Sequence, residues 1–270
     1  MSARGEETLV RRYHRTLLRK ALRRMGLEVY RRGNDPRSRM DLENLDEHSR
    51  EIFAAVEGIS LTGLHRVDAL VGAVKYLEAK GVPGDFVECG VWRGGSVVAM
   101  IKTLQLLGSN CRDIFMFDTF GGLSSISGFS DKDISFRNER AEDLYGGPDR
   151  ERKTAFLNVS LQEVRSTVLA TGYPPERLHF VEGRVEDTVP ERAPRQIAFL
   201  RLDTDFYEST RHEMEHLYPR LVEGGVLLVD DYGHWRGARK AVDEYLEGHP
   251  QAAILLNRID YSGRIGVKLR

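Results

Sequence analysis

The chain has 270 residues, of which 41% are hydrophobic and 30% charged, with a formal net charge of −1. That is a globular balance and not a disordered one, and it supplies no overall field to argue for nucleic acid as a partner. Cys89 and Cys111 are the two cysteines; their number and spacing fit neither a zinc site nor a disulfide framework, and a reducing compartment is expected.

Residues 1–40 hold 12 Arg and Lys against Glu6, Glu7, Glu28 and Asp35, a net of +8 that leaves about −9 for the remainder. From Leu9 to Met25 the apolar residues Leu9, Val10, Tyr13, Leu17, Leu18, Ala21, Leu22 and Met25 recur at helical spacing, with arginines largely elsewhere on the wheel. The basic face suits an anionic surface; packing on the protein itself or on a second subunit is the preferred reading, and a homo-oligomer is expected. Arg and Lys interrupt every apolar stretch here, and no run is long enough to cross a bilayer. Neither a signal peptide nor a membrane partner is therefore expected, and the expected location is cytoplasmic. Residues 33–50 read as a polar loop, and the first 58 residues as a helical extension to a domain spanning 59–270.

From Asp85 onward short apolar runs alternate with helical segments. Strands are predicted at Asp85–Cys89, Ile114–Asp118, Leu178–Glu182, Ile197–Asp203, Val226–Asp230, Ala252–Leu256 and Arg264–Leu269. Helices are predicted at about Gly95–Leu107, Phe156–Thr171, Tyr207–Leu221 and Ala238–Gly248. This order predicts an α/β fold with a doubly wound, mostly parallel, seven-stranded sheet closed by an antiparallel hairpin. The Gly-, Asp- and Arg-rich insertion 121–150 follows a strand's carboxyl end, where open α/β sheets bind ligands, and is read as a substrate-facing lid.

The chemistry concentrates at the same edge. Glu88, Asp118, Glu182, Asp203 and the pair Asp230–Asp231 all fall at strand ends. A single such acid is as readily a helix cap, but several on one rim call for a cationic or polyhydroxylated occupant. Gly90, Gly94 and Gly95 permit close backbone approach in the turn Glu88–Ser96. Their G-x-x-x-G-G spacing departs from the dinucleotide fingerprint and weakens an NAD(P)-dependent oxidoreductase reading. Asp118 is placed to accept from a ribose diol. Asp203, Asp230 and Asp231 offer only oxygen donors, suiting Mg²⁺ or Mn²⁺ over zinc. Asp205, two residues before a helix, is read as its cap. His212 and His216 are read as structural, while His234 and Trp235 suit either a pocket wall or a surface loop.

The segments Asp85–Ser96, Leu202–Thr210 and Asp230–Gly237, with Arg112–Leu123 and Ile259–Arg264, resemble the macrocin O-methyltransferase family. The resemblance runs from about Ile59 to Val267, and the stretch 124–150 does not match it closely. It implies a class I S-adenosylmethionine-dependent fold, with the cofactor over Glu88–Ser96 and Asp118 on its ribose. Gly183, Val185 and Glu186 would lie near the adenine and Thr62 near the methionine end. It further implies Mg²⁺ on Asp203, Asp230 and Asp231, with Asp203 also the candidate general base. The implied acceptor is a sugar hydroxyl on a glycosylated natural product. A catechol or phenol acceptor is the alternative within the same chemistry, and a non-catalytic ligand-binding scaffold would need no acid triad.

Overall fold

The computed structural model describes residues 44–45, 47–125, 128–252 and 254–269; the expected basic helix Leu9–Met25 lies outside them. Where a loop over 33–50 was expected, residues 47–50 already begin helix α1, Glu47–Val56. Helix α2, Leu64–Lys80, buries Val67, Leu70, Val71, Val74 and Leu77, spaced to form one stripe. It stops at Gly81, whose left-handed backbone lets its amide reach the carbonyls of Glu78 and Leu77.

The sheet then begins. Strand β1 (Asp85–Cys89) leads into α3 (Gly95–Leu106), and β2 (Ile114–Asp118) into the insertion, which carries the short helices α4 (Ala141–Tyr145) and α5 (Arg150–Thr154). Helix α6 (Leu161–Leu169) precedes β3 (Leu178–Glu182) and the single turn α7 (Val185–Thr188). After them come β4 (Ile197–Leu202), α8 (Tyr207–His216), β5 (Leu221–Val229), α9 (Arg236–Gly248), β6 (Asn257–Arg258) and β7 (Arg264–Val267).

The strand order is β3-β2-β1-β4-β5-β7-β6. The first five are parallel, and β7 runs antiparallel to both β5 and β6. All five parallel strands therefore deliver their carboxyl ends to one edge, which is where the strand-end acids collect. Alternate residues feed two layers, as a sheet covered on both faces requires. Phe86, Met116, Phe199 and Leu228 pack with α2 and α3. Val87, Phe117, Leu200 and Leu227 pack with Met214 of α8 and Val242 of α9.

Several boundaries differ from the sequence reading, each for a local reason. The helix expected over Phe156–Thr171 begins at Leu161, because Ser160 and Glu163 form a reciprocal capping box. The helix expected to reach Leu221 ends at His216; a 3₁₀ turn containing Pro219 follows, and β5 starts at Leu221. The strand expected over Ala252–Leu256 is displaced to Asn257–Arg258, leaving Ile254 a single bridge to Lys268.

The insertion is tied down at several points. Ser135 bridges Trp235, Phe136 donates its amide to the His234 carbonyl (2.8 Å), and Arg236 donates to that of Ile134 (2.9 Å). The Asp133 carboxylate accepts from the Tyr207 amide at the start of α8 (2.8 Å) and from Ser130 (2.8 Å). A third apolar cluster of Leu123, Ala141, Phe206, Trp235 and Ala238 forms beneath it.

Candidate active site

The turn after β1 is shaped by close approach. Gly90 adopts φ 84°, and a Cβ there would collide with the Asp203 carbonyl; a side chain at this position would force apart the tips of β1 and β4. A Cβ on Gly95 would meet the backbone at Ile59, so its absence admits the 59–62 segment. Asp118, at the tip of β2, holds the turn from the other side. Its Oδ2 accepts from the amides of Val91 (2.6 Å) and Trp92 (3.1 Å), and its Oδ1 from Phe120 (2.8 Å). The acid expected to face a ribose is thus also the anchor of the turn, with acceptor capacity left on Oδ1.

A cavity of about 460 Å³ opens at this edge. Its lining includes Thr62, Glu88, Gly90, Gly95, Ser96, Asp118, Gly183, Val185, Glu186, Asp203, Asp230 and Asp231. Gly94 lies off the lining; it is the left-handed residue (φ 83°) that starts α3, packed toward Val168. Glu182 is exposed and also off the lining, so the expected rim of strand-end acids loses one member. From the insertion, Leu123, Ser130, Asp133 and Tyr145 reach the cavity, consistent with a lid position.

At the centre of the acids stands a residue that the sequence reading passed over. Arg201, 1% exposed, interrupts the otherwise apolar strand β4. It lies directly opposite Glu88 in the sheet register. Its Nη1 reaches Glu88 Oε1 (2.5 Å) and Asp203 Oδ2 (2.7 Å), and its Nη2 reaches Asp230 Oδ1 (2.6 Å) and the Thr62 hydroxyl (2.9 Å). Arg66 pairs with the other oxygen of Asp230 and, through Nε, with Asp260 (3.1 Å). A lone arginine in a buried strand was the signal available beforehand, since full burial of that charge demands partners.

Desolvation dominates the ionisation of the cluster. Burial raises Glu88 to about 8 against the pull of Arg201, whose charge is shared among three carboxylates. Burial raises Asp203 to about 6, again opposed by Arg201 and reinforced by Asp230. Asp231 is pushed well above the usual carboxylate range by burial and then by Asp205 and Asp203. One carboxylate oxygen from each of Asp203, Asp230 and Asp231 lies within 4.8 Å of the other two.

Asp205 does not cap α8. It takes a left-handed φ of 69°, accepts from Trp235 Nε1 (3.0 Å), and lines the cavity beside the other acids. Burial and Asp203 raise it to about 7. The cap is supplied instead by Asp133, distant in sequence. Glu213, buried on α8, accepts from the Thr204 hydroxyl (3.0 Å) and thereby braces the turn between Asp203 and Asp205; this support also went unread. Trp235 is buried in the third apolar cluster and still reaches the cavity, whereas His212 meets the Val189 carbonyl (2.9 Å) and the His216 ring (4.3 Å between centroids), away from the cavity lining.

A parallel sheet with an antiparallel seventh strand, a glycine turn after β1 and an acid closing β2 is the architecture of a class I S-adenosylmethionine-dependent methyltransferase. The solved structure of the O-methyltransferase NovP is similar, with a TM-score of 0.65 and 32% identity, covering 78% of this chain and 82% of that one. The family model for macrocin O-methyltransferase (TylF) matches residues 9–265, and the chain belongs to that family. One relative is the 8-demethyl-8-(2,3-dimethoxy-alpha-L-rhamnosyl)-tetracenomycin-C 4'-O-methyltransferase of Streptomyces olivaceus. It is 36% identical over 186 residues, 69% of this chain and 67% of the relative. Another is the mycinamicin III 3''-O-methyltransferase of Micromonospora griseorubida, 31% identical over 190 residues, 70% of this chain and 71% of the relative. The oxidoreductase alternative falls with this assignment. No described helix is long and apolar enough to cross a membrane.

Proposed function

We propose that the enzyme methylates a hydroxyl of a sugar on a glycosylated small molecule, assisted by a divalent cation, Mg²⁺ or Mn²⁺, on Asp203, Asp230 and Asp231. The observation that carries this reading is the convergence of the glycine turn and the acid cluster on one cavity, with Gly90 against the Asp203 backbone. The rhamnosyl group in the name of the Streptomyces olivaceus relative supports the acceptor class.

The donor chemistry fits a hard cation, with Asp230 shared between that role and its pairing to Arg201 through Oδ1 and Arg66 through Oδ2. All donors are carboxylate oxygens within 4.8 Å, and Asp231 Oδ2 is buried with no hydrogen-bond partner among the described residues. Arg201 and Arg66 offset only part of the negative charge, and burial and mutual repulsion keep the remaining acids hard to ionise. A bound divalent cation would supply Lewis-acid stabilisation of the acceptor oxygen as it loses its proton.

The chain's own groups account for the rest. The turn Glu88–Ser96, Thr62, Asp118 and Gly183–Glu186 would hold the cofactor so that its methyl group faces the acids, since in-line displacement depends chiefly on positioning. Asp203, raised toward neutrality, is suited to take the acceptor proton. Arg201 ties Glu88, Asp203 and Asp230 together, and the insertion, which lines the cavity through Leu123, Ser130, Asp133 and Tyr145, would limit access of water.

The test is methyl transfer from labelled S-adenosylmethionine to matched glycosylated and deglycosylated acceptors, with and without EDTA. Transfer confined to the glycosides and abolished by chelation is expected, with S-adenosylhomocysteine affinity largely retained. Asp203→Asn should be more damaging than Asp231→Asn. Full turnover after exhaustive chelation would refute the metal role, and methylation of the free aglycone would refute the sugar.

A further inference from the structure

Three rings from three separate segments meet at the cavity mouth: Phe136 of the insertion, His234 after β5 and Tyr261 before β7. Their centroids are 5.1 Å (Phe136–His234), 5.3 Å (Phe136–Tyr261) and 6.0 Å (His234–Tyr261) apart, the range of interacting aromatic pairs. His234 and Tyr261 line the same cavity as Asp230 and Asp231. Yet Phe136 and Tyr261 remain 47% and 49% exposed and join none of the core clusters. The packing at this corner is done by the neighbouring Trp235, which is buried.

Hydrogen bonds tie the three segments to one another and to the strand end that carries the acids. The Phe136 amide donates to the His234 carbonyl (2.8 Å), and His234 donates its own amide to the Asp231 carbonyl (3.0 Å). Gly233 has no side chain to clash with the Tyr261 carbonyl, and its amide donates to Ser262 (2.9 Å). The Ser262 hydroxyl donates in turn to the Asp230 carbonyl (2.6 Å), and the Tyr261 hydroxyl lies 3.0 Å from His234 Nδ1. A ring seated on these side chains would therefore stand at a fixed offset from the acid cluster.

The ring planes are inclined to one another by 55–61°, and Arg137 lies over the Phe136 ring (5.2 Å). We infer that Phe136, His234 and Tyr261 form an angled aromatic platform, in which a planar ring of the acceptor packs on one ring face and against the edges of its neighbours, so that the enzyme selects sugars borne on an aromatic or conjugated aglycone. This rests on the sugar-methylation reading. Exposed apolar surface rimmed by polar groups beside a cavity marks a binding surface, and a preorganised one lowers the cost of ordering a flat ligand.

The test measures binding to the full chain with S-adenosylhomocysteine and Mg²⁺ present. The probes are 4-methylumbelliferyl α-L-rhamnoside, methyl α-L-rhamnoside and free 4-methylumbelliferone. The wild type should prefer the aryl over the methyl rhamnoside by about fivefold to tenfold, or ~1–1.4 kcal/mol. The preference should fall below twofold in Phe136→Ala/Tyr261→Ala and in Phe136→Leu/Tyr261→Leu, which keeps apolar bulk without rings. S-adenosylhomocysteine affinity should not change. Binding of free umbelliferone that both variants lose, with neither rhamnoside binding, would retain the platform and overturn the sugar reading instead. Equal affinity for the two rhamnosides, an aryl preference that survives both variants, or no binding of any aryl probe would overturn the platform.

Discussion

Replacing Arg201 with methionine tests the electrostatic core of the site. The substitution nearly preserves volume and removes the guanidinium that meets Glu88, Asp203 and Asp230 at 2.5–2.7 Å. Burial pushes Glu88 up to about 8, toward its neutral form, so the main loss is the compensation of Asp203 and Asp230. Leaving buried carboxylates without their cation typically costs about 3–5 kcal/mol. Arg66 still faces Asp230, which places the expected loss near the lower end, ~3 kcal/mol. Against a total stability on the order of 5–15 kcal/mol, that is a large fraction. At ~2–4 °C per kcal/mol for a domain of this size, the melting temperature should fall by about 6–12 °C. Thermal unfolding followed by circular dichroism at pH 7.5 in EDTA measures this directly. Arg201→Lys should fall between, because it keeps the charge and loses the planar fork. A shift below about 2 °C for Arg201→Met would refute the role assigned to this residue.

Asp118→Ala should weaken S-adenosylhomocysteine binding by roughly 1–3 kcal/mol, since it removes a charged acceptor and frees the amides of Val91, Trp92 and Phe120; unchanged affinity in calorimetry would take Asp118 out of the site. Glu88 has a folded pKa raised to about 8, so its contribution to stability is complete below the ordinary value near 4.5 and is lost as pH rises through 8. Glu88→Gln mimics the protonated form and should gain stability relative to wild type between pH 6 and 9; parallel melting curves across that window would contradict the shift. Gly90→Ala should destabilise the fold and disturb Asp203 together, because its Cβ meets the Asp203 carbonyl and its φ is 84°; wild-type melting with normal turnover would show that the close approach is not needed.

Much of the framework was legible in the chain itself. Apolar runs of five or six residues, separated by helical periods, carry a parallel sheet without reference to anything distant, because both faces of each strand are buried. The position of the acids followed from the same pattern: parallel strands place their carboxyl ends on one edge, so Asp118, Asp203 and Asp230 had to assemble there. Gly90 and Gly95 were readable as points of close approach, though not what approaches them. What the sequence could not supply is pairing between segments far apart in the chain. Arg201 and Glu88 are 113 residues apart and face each other only because β1 and β4 are neighbours in that register. Asp205 reads locally as a helix cap, but Asp133 from the insertion takes that place and leaves Asp205 to Trp235. Phe136, His234 and Tyr261 show no common pattern until three loops are folded against one another. Local periodicity determines the elements, because it is encoded within a few residues. The partners of buried charges and the company of exposed rings depend on chain crossings, which tertiary structure alone decides.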